Sequence, residues 1–302
     1  MWFLFSVITF LMWGAADLFY KRASKPGDRY SHLKIVVMVG LVMGLHAAFY
    51  MLVEKISFSP ISIIKYLPVS SMYILSMVIG YFGLRYIQLS ISSPVQNSSG
   101  AIVAILLLIF FPRPVGALEI AALVMICGGV FALSLIENRQ ENPARYIREN
   151  NVDAKYRTGM LAIAFPIIYC LIDGLGSFAD ALYLDELALM SESEALLAYE
   201  FTFFICAVIS FIFLRFVKKE KFNILREKDA GVAAVFETAG QFFYVFALAG
   251  NALFAAPIVA SYSIVAVILS RIFLKEKLSR QQYIVIGVVM LGIAILGFAE
   301  GG

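Results

Sequence analysis

The sequence predicts an all-α polytopic membrane protein. Three observations favour this class: 61% of the 302 residues are hydrophobic, only 15% are charged, and the apolar residues form runs long enough to cross a bilayer. A soluble domain averages about 25% charged residues. The net charge of +3 is small, and the basic residues sit in short runs beside apolar spans. This pattern sets membrane topology and argues against nucleic acid as a partner.

Ten runs reach the length of about 20 residues that a membrane-spanning helix needs. The first run, from Met1 to Tyr20, lacks a basic segment before it, so it is interpreted as a retained span rather than a cleaved signal peptide. The cysteines fall inside apolar runs without metal-ligand spacing, so no metal or other cofactor is predicted. The predicted spans are 1–20, 33–53, 61–84, 92–111, 115–136, 158–183, 194–217, 230–249, 252–274 and 281–299.

Basic residues concentrate in the odd-numbered loops between these spans. The seventh loop holds Lys218, Lys219 and Lys221, whereas the second and fourth loops hold only Lys55 and Arg113 as basic residues. Loops rich in lysine and arginine face the cytoplasm. The sequence therefore predicts a multi-pass protein of the cell membrane with odd-numbered loops in the cytoplasm and both termini outside.

The chain divides into two similar halves. A polar segment, 139–157, is predicted to be a cytoplasmic linker between five-span units at 1–138 and 158–302. Pro94 and Pro257 occupy matching places in the two units, 163 residues apart. The same offset relates Tyr81 to Tyr244 and Gly129 to Gly292. Five spans per unit would insert the second unit upside down, and inverted repeats are typical of secondary transporters.

Several motifs resemble the EamA-like branch of the drug/metabolite transporter superfamily. Trp13-Gly14 resembles its opening aromatic–glycine pair, and the prolines at 94 and 257 resemble its paired prolines. The segment 273–279, Phe-Leu-Lys-Glu-Lys-Leu-Ser, resembles its closing signature. The resemblance implies ten transmembrane helices, arranged as two inverted five-helix repeats around a central cavity. It also implies secondary transport of small metabolites by alternating access.

The first half departs from the closing signature. Arg113 stands where the second half has Glu276. Because the glutamate is missing from one repeat, Glu276 is interpreted as a structural marker at the end of a helix.

Carboxylates inside predicted spans are the main functional candidates, because a charge in hydrocarbon is costly and usually faces a bundle interior or a watery cavity. Asp173 and Asp180 share one face of the sixth span, with Tyr169 one turn before Asp173. We expect Asp173 to line the cavity, whereas Asp180, nearer the helix end, could instead contact outer water. Asp17 lies one turn before Lys21, so a cavity position and an ion pair near the interface are both open.

The eighth span carries a second polar stripe. Glu237, Gln241 and Tyr244 follow one another at spacings of four and three residues, so they share a helical face. We predict that this stripe lines the cavity; the alternative is a buried hydrogen-bond cluster that fixes helix packing. Glu200 fits a solvated residue at the start of the seventh span, and His46 a packed hydrogen-bonding residue.

Aromatic and amide groups complete the predicted site. Trp13, Tyr81 and Tyr169 suit an organic cation through cation–π attraction, although aromatic residues are ordinary in membrane spans. Asn97 and Ser261 lie in matching polar stretches after the two prolines and are selected as substrate-binding residues. Such side chains also join helices to one another, and that alternative remains open.

The predicted function is secondary active transport of a small cationic or zwitterionic metabolite, such as an amine, an amino acid or a quaternary ammonium compound. Carboxylates facing a low-dielectric cavity would also allow coupling to protons. The chain carries no phosphate-binding motif for ATP, so transport driven by ATP is disfavoured. The alternative is a membrane-embedded enzyme acting on a lipid-linked substrate.

Overall fold

The computed structural model describes residues 1–25, 27–140, 160–276 and 278–301, and all regular secondary structure within these ranges is helical. The predicted linker lies outside the described residues from residue 141 onward. Lys277 of the closing signature also lies outside them. The helices are α1 (Trp2–Ala23), α2 (Ser31–Val53), α3 (Ile61–Gly83), α4 (Leu89–Asn97), α5 (Ser99–Phe110), α6 (Ala117–Gln140), α7 (Met160–Ala181), α8 (Glu192–Ile212), α9 (Lys228–Ala260), α10 (Ser263–Leu269) and α11 (Arg280–Gly301).

Short irregular turns extend several of these helices. Wider π-helical turns continue α7, α8 and α10, and a single 3₁₀ turn precedes α9. The π-helical turns are Leu182–Glu186, Phe213–Val217 and Ser270–Leu274, and the 3₁₀ turn is Ile224–Arg226.

Among the described residues, nine stretches are long and apolar enough to cross a membrane, which supports a multi-pass membrane protein. One of them, Lys228–Leu274, has 47 residues. As a straight helix it would be about 70 Å long, more than twice the hydrocarbon thickness of about 30 Å. Its backbone leaves helical geometry at Asn251. The predicted spans 230–249 and 252–274 lie on either side of this break, and the count of ten helices stays a prediction.

Two further breaks interrupt the helices that follow the paired prolines. The chain leaves α4 at Ser98 and α9 at Ser261, and these positions have the same 163-residue offset as Pro94 and Pro257. The Ser98 hydroxyl donates to the carbonyl of Pro94 at 3.0 Å. The Ser261 hydroxyl donates to the carbonyl of Ile258 at 2.5 Å. At each break a serine hydroxyl therefore adds a second hydrogen bond to a carbonyl that already accepts the backbone N–H of the same serine.

Helices of one half pack mainly against helices of the other half. The most extensive contacts of α1, α2, α3 and α6 are with α9, α8, α7 and α11 respectively. Small residues permit this approach: a Cβ on Gly100 would lie 3.2 Å from the carbonyl oxygen of Ala256. The cavity described below therefore forms between the halves.

The position at which the halves differ in sequence serves a helix start in each case. Glu276 accepts a hydrogen bond from the backbone N–H of Ser90, in the first turn of α4, at 3.2 Å. Arg113 forms an ion pair with Glu186 and also lies 4.0 Å from Asp185, whose carboxylate accepts from the N–H of Ala252 at 2.9 Å. Carboxylates stabilise helix starts by satisfying free N–H groups. Glu276 thus has a structural contact, made to a helix of the other half.

Candidate functional site

A cavity lies between the halves, bounded by α1, α3, α4, α5, α7, α8 and α9. The cavity volume is about 60 Å³, which leaves room for a few water molecules. Its polar and aromatic lining residues are Trp13, Asp17, Tyr20, Tyr73, Tyr81, Gln96, Asn97, Ser99, Tyr169, Asp173, Ser177, Tyr199, Glu237, Gln241, Tyr244 and Tyr262.

The structure brings nine of the ten residues selected from the sequence to this cavity. They are Asp17, Asp173, Glu237, Gln241, Tyr244, Tyr81, Trp13, Tyr169 and Asn97. Ser261 is absent from the lining and fully buried, whereas its neighbour Tyr262 lines the cavity. The physical reason is the helix break. At this break the carbonyl of Ile258 accepts both the backbone N–H and the hydroxyl of Ser261, so the hydroxyl is used by its own helix end instead of facing the cavity.

Helix α1 presents a stripe of three residues to the cavity. Trp13, Asp17 and Tyr20 repeat the spacing of four and three residues seen in the stripe of α9. Asp17 accepts a hydrogen bond from the Ser93 hydroxyl at 2.5 Å. The Tyr20 hydroxyl donates to the Glu237 carboxylate at 3.4 Å. These bonds join the first and fourth spans to the eighth around the acidic groups.

The facing stripe of α9 packs directly on α1. The Trp13 indole N–H donates to the backbone carbonyl of Glu237 at 3.2 Å, and its ring centre lies 4.9 Å from that of Tyr244. This approach requires glycine at position 240, because a Cβ there would overlap the Trp13 ring. Glu237, Gln241 and Tyr244 are all less than 8% exposed. The stripe is therefore held by packing on both sides of the cavity.

Helix α7 supplies the third carboxylate. Asp173 accepts a hydrogen bond from the Ser99 hydroxyl, at the start of α5, at 2.8 Å. Tyr169, one turn earlier, also lines the cavity. Gly80 of α3 leaves room for this ring, because a Cβ would come within 2.8 Å of Tyr169 Cδ2. Carboxylates from α1, α7 and α9 thus share one chamber.

For Asp180 a cavity position and contact with outer water were both open, and the second alternative is wrong. Its side chain is fully buried and accepts hydrogen bonds from the hydroxyls of Tyr66 and Tyr73. The Tyr73 hydroxyl is in turn 2.6 Å from that of Tyr244, which lines the cavity. The helix end is covered because α3 packs against α7 there, with Tyr66 and Tyr73 in contact with Asp180.

Glu200 was interpreted as a solvated residue, and the structure corrects this as well. It is fully buried, and its two carboxylate oxygens lie 2.8 and 2.9 Å from Nδ1 of His46. The histidine is a packed hydrogen-bonding residue, stacked on Tyr50 and in edge contact with Phe242. The pair lies outside the lining of the central cavity.

Lys21 was one possible partner for Asp17. In the structure its ammonium group donates to the backbone carbonyls of Leu84 and Ile87, at 2.6 and 2.5 Å. These carbonyls lie where the chain passes from the third to the fourth span. Asp17 is 8% exposed and lines the cavity.

Three tyrosines of the site were not singled out from the sequence. Tyr20, Tyr73 and Tyr199 all line the cavity. A signal for Tyr73 exists in the spacing of seven residues between Tyr66 and Tyr73 on α3, which equals the spacing between Asp173 and Asp180 on α7. In the structure both tyrosines contact Asp180. No comparable signal marks Tyr199.

The chemistry of the lining is acidic and aromatic. Three carboxylates are present, and no lysine or arginine is among the lining residues that the structure describes. The hydroxyl of Tyr81 is buried without a hydrogen-bond partner in the described part of the chain. Such a group is costly to bury unless something binds to it. The arrangement is suited to a small positively charged molecule.

Comparisons with known proteins agree with this fold. Residues 187–298, from just before α8 into α11, match the model of the EamA-like transporter family, which confirms the resemblance carried by the motifs of the second half. No curated protein matches the chain. One solved crystal structure covers 98% of this chain and 96% of its own, with a TM-score of 0.65 and 12% identity. At this identity the similarity shows the fold alone.

Proposed function

We propose that this chain, whose second half matches a family of membrane transporters, is a secondary active transporter. Its substrate is a small cationic or zwitterionic metabolite, such as an amine, an amino acid or a quaternary ammonium compound. One observation carries the proposal: Asp17, Asp173 and Glu237, from three different helices, converge on one cavity whose described lining has no basic side chain.

The walls of the cavity suit such a ligand. Aromatic faces attract cations by about 0.5–2 kcal/mol, most strongly where water is excluded. Trp13 and Tyr262 meet edge to face, with ring centres 5.8 Å apart, close to the three carboxylates. The free hydroxyl of Tyr81 offers a hydrogen bond. The amides of Gln96 and Gln241 would serve the carboxylate of a zwitterion.

Alternating access is the mechanism that the architecture favours. If the two halves are repeats, α1 is equivalent to α7, α2 to α8, α3 to the first part of α9, and α6 to α11. The contact between α1 and α9 is then equivalent to the contact between α7 and α3. The α2–α8 and α6–α11 contacts each join two equivalent helices. This contact pattern is what two inverted five-helix repeats would produce. The central space is too small for an organic substrate to pass, so loading requires one half to move relative to the other.

Proton coupling follows from the same acidic groups. Three carboxylates in one low-dielectric space repel one another, so each gains from binding either a cation or a proton. Exchange of a bound proton for a cationic substrate would then link the two fluxes. The family match favours transport over the alternative of an enzyme for lipid-linked substrates.

The proposed location is the cell membrane, with odd-numbered loops in the cytoplasm. Arg22 and Lys25 in the first loop form ion pairs with Asp229 and Glu227 in the seventh loop, and this contact supports an arrangement with both loops on the same side of the membrane. A tag at the C-terminus should be labelled by an impermeant reagent in intact cells. Labelling only after permeabilisation would reverse the orientation.

The test is flux into proteoliposomes with an imposed pH gradient. Choline, putrescine and lysine serve as cationic probes, with glucose and succinate as neutral and anionic controls. We expect uptake of at least one cationic probe to follow the pH gradient. In Asp173→Asn and Glu237→Gln this uptake should fall by at least tenfold. Undiminished uptake in both variants would reject their assigned role.

A further inference from the structure

A second, apolar groove lies between α2 and α8 and shares no lining residue with the central cavity. Its volume is about 590 Å³, within the range of about 300–1,000 Å³ usual for ligand sites. Val37 and Leu41 line one wall, Val208 and Phe211 line the other, and Phe222 closes one end. Ring contact between Phe211 and Phe222, with centres 5.9 Å apart, holds the end of the groove in place.

The closed end of the groove adjoins a concentration of positive charge. Between the end of α8 and residue 226, the chain has five exposed basic residues and one acidic residue, Glu220. The next two acidic residues are already in ion pairs. Those acids, Glu227 and Asp229, lie 3.7 Å from Lys25 and 3.3 Å from Arg22. None of the five basic residues forms an ion pair within the described part of the chain. They are Arg215, Lys218, Lys219, Lys221 and Arg226.

The order of the groups along the groove matches an amphiphile. Phe222, at the end of the groove, is preceded in the chain by the exposed Lys221 and followed by Asn223, which also lines the groove. The Lys218 ammonium lies 5.2 Å from the centre of the Phe213 ring, at the end of α8. Leu225, in the following 3₁₀ turn, is 85% exposed, as expected for a side chain that enters the lipid interface. An acyl chain would lie against the apolar walls, and an anionic head group would lie beside the basic residues at the end of the groove.

We propose that this groove binds an anionic phospholipid, with an acyl chain between α2 and α8 and the phosphate on Lys218, Lys219 and Lys221. Basic groups beside membrane-spanning helices attract anionic lipids in this way. The site is separate from the central cavity. Its failure would leave the proposed transport function intact.

The experiment compares lipids that differ only in head group. The purified full chain in detergent is titrated with phosphatidylglycerol or phosphatidylcholine of identical acyl chains, and bound lipid is counted by native mass spectrometry. We expect phosphatidylglycerol to bind about tenfold more tightly. The triple variant Lys218→Gln/Lys219→Gln/Lys221→Gln should lose this preference, whereas Lys55→Gln/Lys65→Gln, exposed elsewhere, should keep it.

A second variant tests the acyl-chain part. Val208→Trp, at a partly exposed groove wall, should weaken the binding of both lipids by at least threefold and leave the unfolding temperature unchanged. Equal binding of the two lipids to the wild type would overturn the proposal. So would displacement of phosphatidylglycerol by equimolar glycerol 3-phosphate, which carries the head-group charge without the chain.

Discussion

Asp173 and Asp180 lie seven residues apart on the same face of α7, yet their surroundings differ. Asp180 is fully buried, and two tyrosine hydroxyls satisfy it. Asp173 faces the shared cavity and accepts a hydrogen bond from one serine, Ser99. The same residue type on one helix therefore serves two purposes. Asp180 fastens α3 to α7, whereas Asp173 remains available to a ligand.

The largest expected effect separates these two aspartates. Asp173→Ala removes one of three mutually repelling carboxylates, but it also removes the acceptor of the buried Ser99 hydroxyl. Because these two effects oppose each other, we expect an unfolding temperature within about 2 °C of the wild type. We expect a loss of cation uptake of at least tenfold. Uptake into proteoliposomes, normalised to folded protein, measures the loss. Wild-type uptake in this variant would break the comparison.

The matched variant Asp180→Ala should behave in the opposite way. It leaves the buried hydroxyls of Tyr66 and Tyr73 without their acceptor, which costs about 1–3 kcal/mol of stability. Thermal unfolding in detergent should begin about 5 °C lower. Uptake per folded molecule should stay within twofold of the wild type; a tenfold loss would instead make Asp180 part of the transport site.

A smaller effect is expected at Tyr81. Its hydroxyl is buried in the cavity wall without a hydrogen-bond partner in the described chain. Tyr81→Phe should therefore leave stability unchanged or slightly raised. It should raise the half-saturating concentration of a transported cation by about fivefold, which corresponds to the free energy of one ordinary hydrogen bond. Lower stability with unchanged affinity would show that the hydroxyl serves packing instead.

The smallest effect is expected at the helix breaks. Ser98→Ala and Ser261→Ala each remove a hydroxyl that adds a second hydrogen bond to a carbonyl of its own helix. Both should lose about 1 kcal/mol of stability and change uptake by less than twofold. A large and selective loss of uptake in Ser261→Ala would restore Ser261 to the site.

Periodicity within a single helix carried most of what the sequence could predict. The stripe of Glu237, Gln241 and Tyr244 lines the cavity as its spacing indicated. The gap between two predicted spans coincides with the backbone break at Asn251. Such features depend on local spacing and on the cost of polar groups in lipid, and both can be read from one chain.

Partners that come from another helix were beyond this reasoning. The tyrosines that satisfy Asp180 lie on α3, and the histidine that pairs with Glu200 lies on α2. Both carboxylates looked exposed because each lies near the end of its own span. Ser261 was selected for its polarity, but its hydroxyl is used by the local break. Contacts between the halves decide which buried acids are satisfied and which face the cavity.

The most direct test of the central claim is ligand-dependent thermal unfolding of the purified chain. Wild type and the triple variant Asp17→Asn/Asp173→Asn/Glu237→Gln are each screened against quaternary ammonium compounds, amines, amino acids, sugars and dicarboxylates. The account predicts that at least one cationic or zwitterionic compound stabilises the wild type and that none stabilises the triple variant. Stabilisation by sugars or dicarboxylates alone, or equal stabilisation of both proteins by a cation, would contradict it.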